Sequence, residues 1–104
     1  MTKTELSLLL YLETRAVDHG GAVDTRHMNE EDAAIAGRWN RSGYLQFGRM
    51  SSKDIKERGI THWCFMSDQA MADAHAERKA RAARTFAKYY SPNGYIPTKE
   101  KRNV

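Results

Sequence analysis

His62 and Cys64, two side chains with metal or nucleophile chemistry, stand two apart in the run "ITHWCFM" at 60–66. Residues two apart in an extended segment share a face, and His75 follows on the next predicted helix, so the three types are zinc-competent. No fourth ligand is evident, and the C-x-x-C spacing of structural zinc sites is absent. A buried thiol and a half-buried imidazole are therefore expected, with no metal. The carboxylates offer no better constellation. Glu30 and Glu31 are adjacent, so on a helix they splay about the axis instead of converging on a substrate. No nucleophile motif and no phosphate-binding glycine loop is present. Neither an enzyme nor a cofactor is expected.

What the chain does concentrate is positive charge. Its 17 Lys and Arg against 13 Asp and Glu give a net charge of +4 over 104 residues. Residues 1–50 carry six cations against seven acids, whereas 51–104 carry eleven against six. A surplus confined to one half suits an anionic partner, most commonly nucleic acid, and the alternative is a solubilising surface without a partner.

The elements that must position these charges are legible from caps and periodicity. The length fits one domain with a single modest core. Thr4 caps a helix from Glu5 to about Asp18, ended by Gly20 and Gly21. Leu6, Leu8, Leu9, Leu10, Leu12, Ala16 and Val17 cover more than one of its faces, which predicts burial on two sides. After a short extended piece at 22–24, Asn29 caps a second helix from Glu30 to about Arg41. Its first-turn acids Glu30, Glu31 and Asp32 suit the helix dipole. Ile35, Ala36 and Trp39 form its buried face, while Ala34, Arg38 and Arg41 share another.

Gly43 ends that helix, and "YLQFGRM" alternates as a strand with Leu45 and Phe47 on one side. The run 60–66 is apolar enough to predict a partner strand covered on most of both faces. Trp39 and Trp63 both read as core residues. Between the strands "SSKDIKERG" reads as a mobile basic loop carrying Lys53, Lys56 and Arg58, with Arg49 at its root. Ser67 and Asp68 cap a last helix running to about Tyr89. Ala72, Ala76, Ala80, Ala83 and Ala87 form a small-residue stripe on it, suited to a helix partner. Arg78, Lys79, Arg81, Arg84 and Lys88 populate the rest, a surface for an acidic partner or phosphate.

Helix, short strand, helix, basic hairpin and closing helix is the element order that resembles small prokaryotic or phage winged helix-turn-helix transcription regulators. The likeness covers about Glu5 to Phe86 and is strongest in "GRWNRSGYLQFGRM" and "THWCFMSDQAM". It implies an α+β, mainly α fold, with a two- or three-stranded β-hairpin wing and a long C-terminal helix. Residues 1–90 would form the winged-helix domain and 91–104 a flexible basic tail. It also implies a regulator that binds double-stranded DNA, with the second helix in the major groove and the wing on phosphate or in the minor groove. Arg38, Arg41, Arg49, Lys53, Lys56 and Arg58 are the expected DNA contacts, and Arg78, Arg81, Arg84 and Lys88 the expected partner contacts. The chain departs from the pattern where only "TRHM" at 25–28 stands for the first helix of the helix-turn-helix. The alternative is a winged helix used for protein contact, such as a phage-encoded modulator of a host enzyme. A homodimer through the first and last helices is expected. No apolar run approaches the roughly 20 residues that span a bilayer, and no signal peptide is evident. A single cysteine excludes an internal disulfide framework, so a cytoplasmic location is expected.

Overall fold

The computed structural model describes residues 1–90. Thr2, not Thr4, caps the first helix, α1 (Lys3–Asp18). The Thr2 hydroxyl accepts from the Glu5 N–H at 3.1 Å, and the Glu5 carboxylate accepts from the Thr2 N–H at 2.7 Å. This reciprocal capping box satisfies two of the helix's orphan donors, which is why the helix starts before the expected Glu5. At the other end the N–H groups of His19 and Gly21 both donate to the Arg15 carbonyl. Gly20 and Gly21 then turn the chain with φ of 61° and 88°, a region closed to most side chains.

The turn feeds β1 (Ala22–Val23), and Asp24 caps a single 3-10 turn at Thr25–His27. Between β1 and the next helix the chain thus makes only this one turn. Asn29 caps α2 (Glu30–Ser42) through a second capping box, this time with Asp32. Ile35, Ala36 and Trp39 are its buried residues, as their spacing predicts. Gly43 ends the helix in the left-handed region, φ 81°.

β2 (Leu45–Arg49) and β3 (His62–Met66) complete a three-stranded antiparallel sheet in the order β1-β3-β2. The register opposes Leu45 to Met66, Phe47 to Cys64 and Arg49 to His62, so these side chains share one face. Leu45, Cys64, Met66 and Val23 are buried there with Leu8, Leu9, Leu10 and Leu12 of α1, the α2 face, and Ala70 and Ala74. The full burial of Leu9, Leu12, Leu45 and Val23 stabilises the fold by roughly 1.5–3 kcal/mol apiece before entropic costs. Gln46, Gly48, Trp63, Phe65 and Ala22 occupy the opposite face. β3 is therefore covered on one face, not most of both, and Phe65 remains 65% exposed. Trp63 is half-buried and lies outside the core: its indole crosses Gly48, where a Cβ would stand 2.9 Å from the ring.

The expected mobile loop between β2 and β3 is instead a short helix, α3 (Ser52–Arg58). The Ser51 hydroxyl accepts from the Asp54 N–H, and Gly59 at φ 71° closes it. β2 is an edge strand, and Asn40 occupies part of that edge by accepting from the Phe47 N–H at 3.0 Å.

α4 spans Asp68–Tyr90, and its cap is Ser67 alone, which accepts from the Ala70 N–H while donating to the Tyr44 carbonyl. Ala70 and Ala74, not Ala72, are its buried alanines; Ala76 and Ala83 of the expected stripe are also exposed. The chain divides into two compact units, Met1–Ala74 and a second beginning at His75. The expected tail at 91–104 lies outside the described residues.

A Cβ on Gly21 would meet the Cys64 carbonyl oxygen at 2.6 Å, whereas one on Gly20 would meet nothing. Both substitutions carry the left-handed cost of about 1–2 kcal/mol, but only Gly21→Ala adds a backbone clash. Urea unfolding should therefore show Gly21→Ala destabilised by about 2–4 kcal/mol and Gly20→Ala by about 1 kcal/mol.

Candidate nucleic-acid interface

Apart from Lys3, exposed in the first turn of α1, the cations of the first unit fall into two groups according to what they touch. Arg15 donates from Nε to the Ala22 carbonyl at 2.6 Å, which fastens the end of α1 to β1. Arg26 forms a bidentate pair with Asp24, whose carboxylate also accepts from the Arg26 N–H. These bonds hold the Asp24 carboxyl far below the usual carboxylate range. Arg38 reaches from α2 to α1 and donates to Glu5 at 2.9 Å. Its carboxylate partner is only 18% exposed, and the Glu5 carboxyl is held low, first by the Thr2 N–H and further by Arg38. Arg38 therefore braces two helices and is only partly available to a ligand.

Arg41, Arg49, Lys53, Lys56 and Arg58 are all exposed, and none has an acidic partner among the described residues. They lie at the end of α2, the end of β2 and along α3. Within 41–58 the acids are Asp54 and Glu57, which leaves the segment at +3. Asp54 is engaged by the Ser51 hydroxyl at 2.9 Å. The start of α2 has the opposite sign: Glu30 and Glu31 are exposed, and Asp32 is half-buried at the cap. One element thus runs from acidic to basic along its length.

Arg49 stands opposite His62, whose ring stacks on Phe47 at 5.3 Å with an interplanar angle of 17°. The His62 Nδ1 lies 2.8 Å from the Thr61 hydroxyl, which is 3.2 Å from that of Thr25. Burial first, and the Arg49 charge second, push the His62 pKa below its ordinary value. Cys64, by contrast, faces the core and donates weakly to the Leu12 carbonyl at 3.5 Å. Burial raises its thiol to about 11, so it is a poor nucleophile at neutral pH. Among the described residues no group of three or more His, Cys, Asp or Glu side chains is arranged to hold a metal.

Tyr44 and Asp73 form a structural link that neither charge counts nor periodicity reveal. The Tyr44 hydroxyl donates to the Asp73 carboxylate at 2.5 Å, and its ring packs on Trp39 at 5.4 Å. Asp73 also accepts from Gln69 at 2.8 Å. Burial first, and the bond to the Asp73 carboxylate second, raise the Tyr44 phenol well above its usual range. The link seats α4's first turns against the α2–β2 junction.

In the second unit the expected partner residues are partly satisfied within their own helix. Glu77 accepts from Arg81 at 2.7 Å and from Arg84 at 3.0 Å, and the two guanidinium groups depress its carboxyl. Lys88 lies 5.2 Å from the Tyr89 ring centroid, and Arg78 is exposed. No helix among the described residues is long and apolar enough to cross a membrane.

Because the folded pKa of His62 is lowered, folding favours the neutral ring. Its contribution to stability is full above the ordinary value of 6.5 and is lost as pH falls below it. NMR titration of Arg49→Ala should move the His62 midpoint upward, toward 6.5. An unmoved midpoint would mean that the Arg49 charge does not reach the ring.

Comparison of the chain with protein-family models, curated proteins and solved structures returns no match.

Proposed function

We propose that this protein binds double-stranded DNA as a small winged-helix regulator, with α2 beside the major groove and the β2–α3–β3 segment as a helix-tipped wing. The observation that carries this reading is the segregation of charge. Arg15, Arg26 and Arg38 are engaged within the fold, whereas Arg41, Arg49, Lys53, Lys56 and Arg58 follow one another in sequence and have no acidic partner among the described residues. Strand order β1-β3-β2, with a helix leading directly into β2, supports the winged-helix assignment.

The mechanism follows from where those cations stand. Phosphate contacts supply most of the affinity and are made by the wing and by the C-terminal end of α2. Carboxylates at the start of α2 would weaken that term, so the helix approaches the duplex by its Arg41 end. Arg38 contributes mainly to the α1–α2 brace. A tip built as a capped helix presents Lys53 and Lys56 along one side, at three-residue spacing, which suits a phosphate strand better than insertion into a narrow groove.

Each neutralised phosphate contributes about −0.9 to the slope of log affinity against log salt, so five contacts predict a slope near −4.5. Anisotropy of a labelled duplex should show that slope, and the variant K53A/K56A/R58A should flatten it by about 2.7. Absence of binding at low salt, or a slope indifferent to the three substitutions, contradicts the reading. A second reading, a winged helix that docks on a basic protein, draws on the exposed Glu30 and Glu31 at the start of α2. It predicts a partner whose capture is abolished by E30K/E31K and is indifferent to the wing.

A further inference from the structure

Past Ala74, α4 carries a charged and aromatic surface that the wing does not use. From His75 to Tyr90 no residue is buried, and five of these sixteen are alanines, so the stretch relies on helix propensity more than on core packing. Glu77, Arg81, Arg84 and Lys88 recur at the spacing of one helical stripe. Glu77, the only acid in 75–90, accepts from Arg81 at 2.7 Å and from Arg84 at 3.0 Å, which orders both guanidinium groups along that stripe. Residues 78–90 then hold five cations and no acid. In the last turn two aromatic rings stand in solvent, Tyr89 at 65% and Tyr90 at 68% exposure. Their centroids are 6.4 Å apart, and the Lys88 ammonium lies 5.2 Å from that of Tyr89, so cation and rings adjoin.

We propose that this stretch of α4 binds single-stranded nucleic acid, with Arg81, Arg84 and Lys88 along the phosphate backbone and Tyr89 and Tyr90 stacked on unpaired bases. Charge and shape together select that occupant. Neutralising phosphates gives affinity without apolar burial. A protein groove or a membrane surface, by contrast, draws its affinity from bulky apolar side chains entering a partner or the acyl boundary. Away from the cation stripe this helix offers mainly Ala76, Ala80, Ala83 and Ala87, which bury too little for either. The tyrosines separate a single strand from a duplex. Every unpaired base has a π-face free for an aromatic ring, whereas a duplex keeps those faces enclosed between neighbouring pairs. The stripe is also preformed, since Glu77 already holds two of its guanidinium groups in line, and that reduces the side-chain ordering that binding would cost.

This site shares no residue with the wing, so its test is separate from that of duplex binding. The full chain carrying K53A/K56A/R58A, which removes the wing cations, is titrated into a short labelled oligothymidylate and followed by anisotropy. Adding Y89A/Y90A should weaken binding at least about fivefold, the lower bound for losing one stacked base. Adding R84A/K88A instead should flatten the slope of log affinity against log salt by about 1.4, at roughly 0.7 per phosphate on a single strand. An abasic strand of the same length should be indifferent to Y89A/Y90A. All four side chains are exposed and alanine favours a helix, so circular dichroism should be unchanged. Affinity for oligothymidylate that survives Y89A/Y90A, or a slope that survives R84A/K88A, overturns the proposal. So does a chain that ignores oligothymidylate and instead binds phosphatidylserine vesicles through the same tyrosines.

Discussion

Everything in the first unit is referred to β3, and what places β3 is its attachment to the end of α1. The Cys64 N–H donates to the Gly21 carbonyl, the Cys64 thiol reaches the Leu12 carbonyl, and Gly21 lies too close to the Cys64 carbonyl for any side chain. β1 and β2 then pair on either side of this strand. A strand fixed in that way has one face given to α1 and α2, and the other left with Trp63 folded over Gly48 and Phe65 in solvent. The position of α3 follows, because it is the connection that must carry the chain from β2 back into β3.

The charges obey the same frame. Arg15 and Arg38 are drawn into bonds between elements and Arg26 into a local pair with Asp24, while Arg49, Lys53, Lys56 and Arg58 on the β2–β3 excursion have no acidic partner among the described residues. Arg15, Arg26 and Arg38 are thus engaged by the fold itself, and Arg41, Arg49, Lys53, Lys56 and Arg58 are left exposed. The acidic start of α2 fits this division, since Asp32 completes a capping box and Glu30 and Glu31 favour the positive end of the helix dipole. The carboxylates that would repel phosphate at the start of α2 are the ones that favour the helix there.

Much of this was legible in the residues themselves, and the boundary is physical. Asn29, Gly43, and the buried spacing of Ile35, Ala36 and Trp39 are local signals, and each lies where its pattern places it. The helix between β2 and β3 was also signalled locally, by Ser51 with Asp54 three residues on and Gly59 at the end. A helix of two turns has too little length for a hydrophobic period, and so it reads as a loop. Arg38 with Glu5, and Tyr44 with Asp73, are separated by 33 and 29 residues, and nothing in composition or spacing pairs them. The exposed face of β3 is hidden for a related reason: "ITHWCFM" is apolar at nearly every position, and only the register with Gly48 shows which side chains lack a cover.

The central claim is that recognition sits in the excursion from Arg41 to Arg58 and not in the acidic start of α2. Amide chemical-shift perturbation on titrating a short duplex into the labelled protein tests it directly. The account predicts shifts concentrated at residues 41–60, fading as salt is raised, with residues 29–34 unmoved. Perturbation centred on 29–34, or none anywhere at low salt, would contradict it.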